Sequence, residues 1–211
     1  MPLRNRVTPF GEIVAVAGRG TMMGNRGILH DEHKRLVKPW VVRRWIACVL
    51  ERDGIRRAVM APRRYTELFF LDEATAMSAG HRPCAECRRG DYRRFQSFWV
   101  RCRPEPRDAD SMDLRLHADR LDGKMKRRYT AEIATLPDGA YVALDGEAWL
   151  LWNGRLHAWS ETGYVRRRDR PSRGEVEVLT PRSFVEVIAA GYRPAVHPSA
   201  EDGSAPPVKG R

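Results

Sequence analysis

The feature that most constrains this chain is a pair of cysteines separated by two residues, Cys84-Ala85-Glu86-Cys87. Two thiolates at this spacing can bind one tetrahedral ion, so the segment predicts half of a metal site. The alternative is a redox pair, which is expected to open a helix directly after a strand. Here the pair follows a predicted helix and the turn Gly80-His81-Arg82-Pro83, and this context favours the metal site.

A closed zinc site needs two further ligands. Cys48 is the best third ligand, although a cysteine in an apolar strand can also be a buried small apolar residue. For the fourth position we favour His30, which ends a short predicted strand. The other candidates for that position are Cys102, His33 and His81. We expect the ion to be a structural Zn²⁺ on which folding of this region depends.

The pattern around Cys48 predicts a β-hairpin. Residues 40–50 and 55–60 are rich in β-branched and aromatic residues, and Asp53-Gly54 is a typical hairpin turn between them. Asp72 then predicts the N-cap of a helix over 73–79. A second helix is predicted over 91–101, where apolar residues recur at three- and four-residue steps.

The second half of the sequence has a different texture. Residues 112–134 have a helical pattern that is interrupted at Asp122-Gly123. After them, Asp145-Gly146 and Asn153-Gly154 separate β-rich segments and predict an antiparallel meander. A short helix is predicted over 181–190.

These elements predict an α+β fold in three parts. Residues 1–104 form a basic module in which a hairpin, the cysteine knuckle and a helix are stabilised by zinc. Residues 105–193 form a helical link and a small antiparallel β-meander domain. Residues 194–211 are rich in Pro, Ser, Gly and Ala and are predicted to be a flexible tail.

Positive charge is concentrated in the first half of the chain. The net charge is +11, and residues 1–105 hold 21 basic and 11 acidic residues, so nearly all the excess lies there. Such a bias favours a basic face for a polyanion, although arginine clusters also occur on purely solvated faces. We expect the arginines around the cysteines to contact nucleic acid: Arg43, Arg44, Arg63, Arg64, Arg82, Arg88, Arg89, Arg93 and Arg94.

Residues 69–89 resemble the second half of the zinc-binding domain of Ada-type DNA methylphosphotriester repair proteins. The shared order is an aromatic residue, an acid-capped helix, Ala-Gly and then Arg-Pro-Cys-x-x-Cys-Arg. In that family four cysteines bind zinc, and one of them accepts a methyl group from the DNA backbone. The resemblance implies Cys84, Cys87 and Cys48 as ligands. Arg44 and Arg52 stand four residues on either side of Cys48, so the fourth ligand stays open and methyl transfer is not expected.

The sequence therefore predicts a zinc-containing nucleic-acid-binding protein, with DNA preferred, acting in DNA repair or regulation. The alternative is a metal-dependent nuclease or lyase that uses His30, Asp31 and His33 of one loop, or Pro2 as an amine nucleophile. No apolar run approaches the length of a membrane span, and no apolar segment follows the basic N-terminus. We expect a cytoplasmic protein without membrane contact.

Overall fold

The computed structural model describes residues 1–51, 58–103 and 108–201. Within these residues the chain has mixed α+β structure with four α-helices and two six-stranded sheets, as the sequence predicts at this level. None of the helices in the described ranges has the length and apolarity of a membrane-spanning segment.

The first sheet contains short strands from the first half of the chain. They are β1 Arg6–Val7, β2 Ile13–Val14, β3 Met22–Asn25, β4 Ile46–Cys48, β5 Leu68–Phe70 and β6 Arg82–Pro83. Their order is β2-β1-β5-β3-β4-β6. The pairs β1–β5 and β4–β6 are parallel, and the others are antiparallel.

The predicted hairpin around Cys48 is not the observed pairing. Strand β4 pairs with β3 on one side and with β6 on the other. Residues 58–60 are not in a strand, and the predicted turn at Asp53-Gly54 lies outside the described residues. The local turn signal was misleading because β4 finds its partners in segments distant along the chain.

Three helices agree with the predicted ones to within two residues at each end. Helix α1 is Glu73–Ser78, α2 is Arg89–Cys102, and α4 is Arg182–Ala189. Asp72 caps α1 by accepting a hydrogen bond from the backbone N–H of Thr75. The predicted apolar stripe of α2 is buried at Tyr92, Phe95 and Trp99.

The prediction of helix over residues 112–134 is wrong after Arg120. Helix α3 is Ala109–Arg120, and the chain then forms a hairpin of β7 Leu121–Asp122 and β8 Met125–Lys126. Gly123 has a φ of 59° at the turn of this hairpin, a conformation that interrupts a helix and that glycine adopts readily.

The predicted meander is present as the second sheet. Its strands are β9 Tyr129–Glu132, β10 Tyr141–Leu144, β11 Glu147–Trp152, β12 Arg155–Ser160, β13 Gly163–Asp169 and β14 Glu175–Val178. Their order is β13-β12-β11-β10-β14-β9. All four residues of the predicted turns, Asp145-Gly146 and Asn153-Gly154, have positive φ, which matches two-residue hairpin turns. Short 3₁₀ turns occur at Ile133–Thr135 and Pro198–Ala200.

The two halves of the chain share hydrophobic cores. One core combines side chains of α1, α2 and α3 with Phe184, Val187 and Ile188 of α4. A second core places Leu71 and Ala74 against the second sheet. Helix α1 is thus buried between the two predicted modules.

The last described residues are also packed, although the sequence predicts a flexible tail from residue 194. The backbone N–H of Ala195 donates to Glu73, and that of His197 donates to Asp72, both at 2.9 Å. Ala200 is buried. Two buried carboxylates at the start of α1 therefore hold the segment 194–201 in place.

Candidate metal centre

Parallel pairing of β4 with β6 places Cys48 beside Cys84. In this ladder Ala47 lies opposite Pro83, and the backbone N–H of Cys84 donates to the carbonyl of Ala47 at 2.9 Å. Cys48 follows Ala47 as the last residue of β4, and Cys84 is the residue directly after β6. The register of two very short strands therefore brings together thiols that are 36 positions apart in the sequence.

Three sulfur atoms converge at this edge of the sheet. The Sγ atoms of Cys48, Cys84 and Cys87 all lie within 4.8 Å of one another. Thiolates bound to one tetrahedral Zn²⁺ at about 2.3 Å lie about 3.8 Å apart, so small side-chain adjustments suffice to bind an ion. Cys48 and Cys84 are buried, and Cys87 is half-buried. The predicted set of three cysteines is therefore brought together.

Backbone amides point at two of these sulfurs, as expected for a metal-binding knuckle. The Cys48 thiol and the N–H groups of Cys87 and Glu86 hydrogen-bond to Cys84 and lower its pKa to about 5, against the opposing effect of burial. The N–H of Val49 donates to the sulfur of Cys87. Burial nevertheless raises the pKa of Cys87. The hydrogen bond between the Cys48 thiol and Cys84, together with burial, raises the pKa of Cys48. The group thus stabilises one thiolate readily, and a cation would favour deprotonation of the other two.

The residues that flank the knuckle are fixed by buried ion pairs. Arg82 donates to both carboxylate oxygens of Asp113 in α3, at 2.9 and 2.7 Å. Arg88 donates to Glu73 at 2.8 Å and to Asp91 at 2.7 Å. Both guanidinium groups are buried, and they anchor the segment 82–88 to α1, α2 and α3.

A cavity of about 860 Å³ lies against the three cysteines. Apolar residues, among them Met23 and Phe69, form part of its wall. Arg44 lines the same cavity and pairs with Asp110 at 3.0 Å. The sulfur cluster therefore borders open space.

His30, predicted as the fourth ligand, is not in this group. Its Nδ1 lies 2.7 Å from the Thr66 hydroxyl, and its Nε2 lies 3.3 Å from the Ala61 carbonyl oxygen. Both ring nitrogens are therefore engaged in hydrogen bonds inside the protein. Within residues 1–51, 58–103 and 108–201, no further histidine, cysteine or carboxylate joins the three cysteines.

The other candidates for the fourth position also lie elsewhere. Cys102 ends α2, and its thiol donates to the Glu186 carbonyl at 3.3 Å. His81 is buried between aromatic rings, 4.6 Å from Phe70 by ring centroids. His33 is exposed on its loop.

The loop proposed for nuclease or lyase chemistry does not form a shared site. Asp31 accepts hydrogen bonds from the backbone of His33 and from both the backbone and the side chain of Arg35. These bonds fold the loop on itself, while His30 faces Thr66. Pro2 is exposed near the start of the chain.

The arginines predicted to contact nucleic acid divide into two groups. Arg82 and Arg88 are buried in the ion pairs described above, so they are unavailable to a ligand at the surface. The others are exposed: Arg43, Arg44, Arg63, Arg64, Arg89, Arg93 and Arg94. The number and positions of arginines in the sequence do not separate these two groups, because burial of an arginine depends on carboxylates from other elements.

Helix α2 presents basic residues at the surface directly after the knuckle. Arg89, Arg93, Ser97 and Arg101 follow one another at steps of four and are all exposed. Residues at this spacing lie along one side of a helix. The sequence prediction omitted Arg101, although the four-residue step from Arg93 and Ser97 was a signal that could have found it.

Comparison of the chain with protein-family models, with curated proteins and with solved structures gives no match. The resemblance of residues 69–89 to the Ada-type zinc domain therefore depends on those residues alone.

Proposed function

We propose that this chain is a zinc-containing nucleic-acid-binding protein that prefers DNA and acts in DNA repair or regulation. The observation that carries the proposal is the convergence of Cys48, Cys84 and Cys87 next to a helix with an exposed basic side. The repair setting comes from the resemblance to the Ada-type domain.

Zinc is favoured by the chemistry of the donors. Soft thiolate ligands select zinc, copper(I) or iron–sulfur clusters, and a Cys-x-x-Cys knuckle with amide N–H groups directed at sulfur suits a single tetrahedral ion. The role is structural, because the knuckle lies between β6 and α2 and the ion would link it to β4, which shares only a two-residue ladder with β6. Binding energy at such a site is also folding energy.

A nucleic-acid partner is supported by charge. The first half carries nearly all the positive excess, and its exposed arginines include the side of α2 formed by Arg89, Arg93 and Arg101. Arginine binds phosphate oxygens with two parallel hydrogen bonds, so a row of them suits a phosphate backbone. Release of counterions on binding would make the affinity depend strongly on salt.

The proposal is tested by measuring zinc content and DNA affinity on the same preparation. We expect one zinc per chain by atomic emission. In fluorescence anisotropy with labelled single- and double-stranded 20-mers, affinity should fall roughly 10²-fold between 50 and 200 mM salt, as about four phosphate contacts predict. Affinity that does not change with salt would contradict the nucleic-acid proposal, and absence of zinc would contradict the metal proposal.

Matched variants locate the surface. Arg89→Gln combined with Arg93→Gln should weaken DNA binding and reduce the slope of log affinity against log salt by about two. Arg155→Gln combined with Arg173→Gln removes the same charge from exposed positions of the second half and serves as the control. Equal losses in both double variants would show that only net charge matters, and not the surface of α2.

A further inference from the structure

A second cavity combines a group of cationic side chains with a largely apolar wall. It has a volume of about 320 Å³ and lies among the turn before β2, the segment before Trp45 and the β7–β8 hairpin. One carboxylate, Glu12, lines it together with five basic side chains: Arg26, Arg120, Lys124, Lys126 and Arg128. Its volume is at the lower end of the range of small-molecule pockets.

Two of these cations are deeply buried. Arg26 is 3% exposed and Arg120 is 1% exposed. Both guanidinium groups stack on the same indole ring, with their carbons 4.1 and 4.4 Å from the centre of Trp45. Burial of a charge is costly unless an opposite charge lies beside it, so two such groups on one ring call for a compensating anion.

The protein supplies neutral acceptors to these two arginines. Arg26 donates to His81 Nε2 and to the Gly11 carbonyl, each at 3.2 Å. Arg120 donates to the carbonyls of Gly80 and Arg43. These contacts orient the guanidinium groups but do not neutralise them.

Lys126 is also held by neutral acceptors. Its ammonium group donates to the carbonyls of Pro9 and Ser78. Asp113 is close enough to favour the charged form of Arg120, but its carboxylate forms its ion pair with Arg82. No carboxylate of the described residues forms an ion pair with Arg26, Arg120 or Lys126.

Unused hydrogen-bond donors remain on both arginines. Nη2 of Arg26 and Nε of Arg120 are buried and have no partner, which is rare for native polar groups. Burial lowers the pKa of each guanidinium to about 9. The lowered pKa reflects the cost of burying these charges, and the unpaired donors are those that an anion would engage. No carboxylate of the described residues supplies that negative charge through an ion pair.

We propose that this cavity binds the phosphate group of a small phosphate monoester, with Arg26 and Arg120 at its inner end and Lys124 and Arg128 at its rim. A phosphate dianion offers enough oxygen acceptors for several guanidinium and ammonium donors, and paired N–H donors of arginine fit its geometry. The inference is independent of the zinc centre and of the proposed DNA-binding surface on α2.

There is room for the rest of an ester beside the phosphate. An adjoining cavity of about 340 Å³ shares Gly11, Glu12, Arg26 and Pro39 with the first one. It adds Arg4 and Lys38, so it too has a basic lining. A ligand held at Arg26 can therefore extend into either space.

Isothermal titration calorimetry of the full zinc-loaded chain tests the proposal at constant ionic strength. The probes are inorganic phosphate, adenosine 5′-monophosphate, adenosine, and short oligothymidylates with either a 5′-phosphate or a 5′-hydroxyl. We expect adenosine 5′-monophosphate to bind and adenosine to give no signal. Tighter binding of the 5′-phosphorylated oligonucleotide than of the mononucleotide would identify a strand end as the source of the phosphate, and the reverse would identify a free metabolite.

Variants connect the binding to this cavity. Lys124→Gln, at an exposed rim position, should raise the Kd roughly two- to fivefold, and Arg127→Gln on the same hairpin but outside the cavity lining is the charge-matched control. Arg26→Met should weaken binding by roughly 10- to 100-fold, as loss of buried charge-assisted bonds predicts. If Arg26→Met does not fold, the comparison of Lys124→Gln with Arg127→Gln still tests whether phosphate binds in this cavity. Equal Kd values in these two rim variants, or no heat with any phosphate, would overturn the proposal.

Discussion

Arg82 and Asp113 form a bidentate ion pair in which both side chains are nearly inaccessible to solvent, with N–O distances of 2.9 and 2.7 Å. The arginine directly follows His81 and lies two residues before Cys84, whereas the aspartate belongs to α3. The guanidinium carbon also lies 5.0 Å from the centre of the Tyr92 ring. One pair thus fixes the knuckle segment against two helices.

Removal of one partner of this pair should be severely destabilising. Asp113→Ala leaves the Arg82 charge buried without compensation, so we expect a loss of about 3–5 kcal/mol in the free energy of unfolding. Urea denaturation followed by circular dichroism measures it. Asp110→Ala, at an exposed acid of the same helix that pairs with Arg44, is the control and should change the midpoint little. A small effect of Asp113→Ala would show that water reaches Arg82.

Removal of zinc from the three cysteines by a chelator should destabilise the fold. We expect removal of the metal to lower the thermal midpoint and Cys84→Ser to abolish stoichiometric zinc binding, because binding energy at a structural site is folding energy. Cys102→Ser is the matched control, since this cysteine lies outside the cluster and only its thiol contact to Glu186 is lost. Equal zinc content in the Cys84 and Cys102 variants would contradict the assignment.

Stability should fall in mild acid because of His81. Burial, together with the charges of Arg26 and Arg120, holds the pKa of this histidine well below its usual value. The unfolded chain then binds the proton first, so stability present above about pH 6.5 is lost as the pH falls towards the folded pKa, by at most about 1.4 kcal/mol per pH unit.

The variant His81→Phe isolates this contribution. It places an aromatic ring between Phe70 and Trp45 but removes the titrating group. Between pH 6.5 and 5.5 its unfolding free energy should fall less steeply than that of the wild type. Protonation of the cysteines affects both proteins alike and cancels in the comparison. Identical slopes would show that protonation of His81 does not limit stability in acid.

The parts of this structure that the sequence predicts are those determined by local chemistry. The cap at Asp72, the apolar stripe of α2 and the turns at Asp145-Gly146 and Asn153-Gly154 each depend on residues a few positions apart. The three cysteines were found because two of them form a recognisable knuckle and the third lies in an apolar strand.

Features determined by distant partners were missed. The pairing of β4 with β6 depends on backbone hydrogen bonds between segments 36 residues apart, and no periodicity marks it. The same holds for Arg82 and Arg88, which composition assigns to a basic surface and whose buried carboxylate partners lie on other elements. The cationic cavity was missed because Arg26 and Arg120 are 94 positions apart in the sequence.

Unfolding should be a single transition despite the two predicted modules. Asp72 accepts hydrogen bonds from Tyr164 of β13 and from the backbone of His197, and Tyr192 donates to Glu73. These bonds and the shared cores connect α1 to the second sheet, so neither half should survive without the other.

Two probes can show whether the halves separate. Zinc release, read with a colorimetric chelator, reports on the first half. Tryptophan fluorescence reports on both halves, because Trp149, Trp152 and Trp159 lie in β11 and β12 and the other three tryptophans lie in the first half. Halves that unfold independently would therefore give two fluorescence transitions, only one of which coincides with zinc release. Coincident urea midpoints are expected. Tyr164→Phe should lower both midpoints together, by the equivalent of about 1.5–3 kcal/mol for a bond to a buried carboxylate. Separate midpoints would show independent modules, as the sequence alone predicts.

His30 should prove dispensable for zinc binding. Its two ring nitrogens contact the Thr66 hydroxyl and the Ala61 carbonyl, so neither is free to reach the cysteines. We expect His30→Ala to retain one zinc per chain while losing about 1–2 kcal/mol of stability from the two hydrogen bonds and the packing. Cys48→Ser, measured in parallel by atomic emission, should lose the metal. Loss of zinc in His30→Ala at a temperature where the variant is still folded by circular dichroism would restore His30 as the fourth ligand and would require the loop to rearrange around the ion.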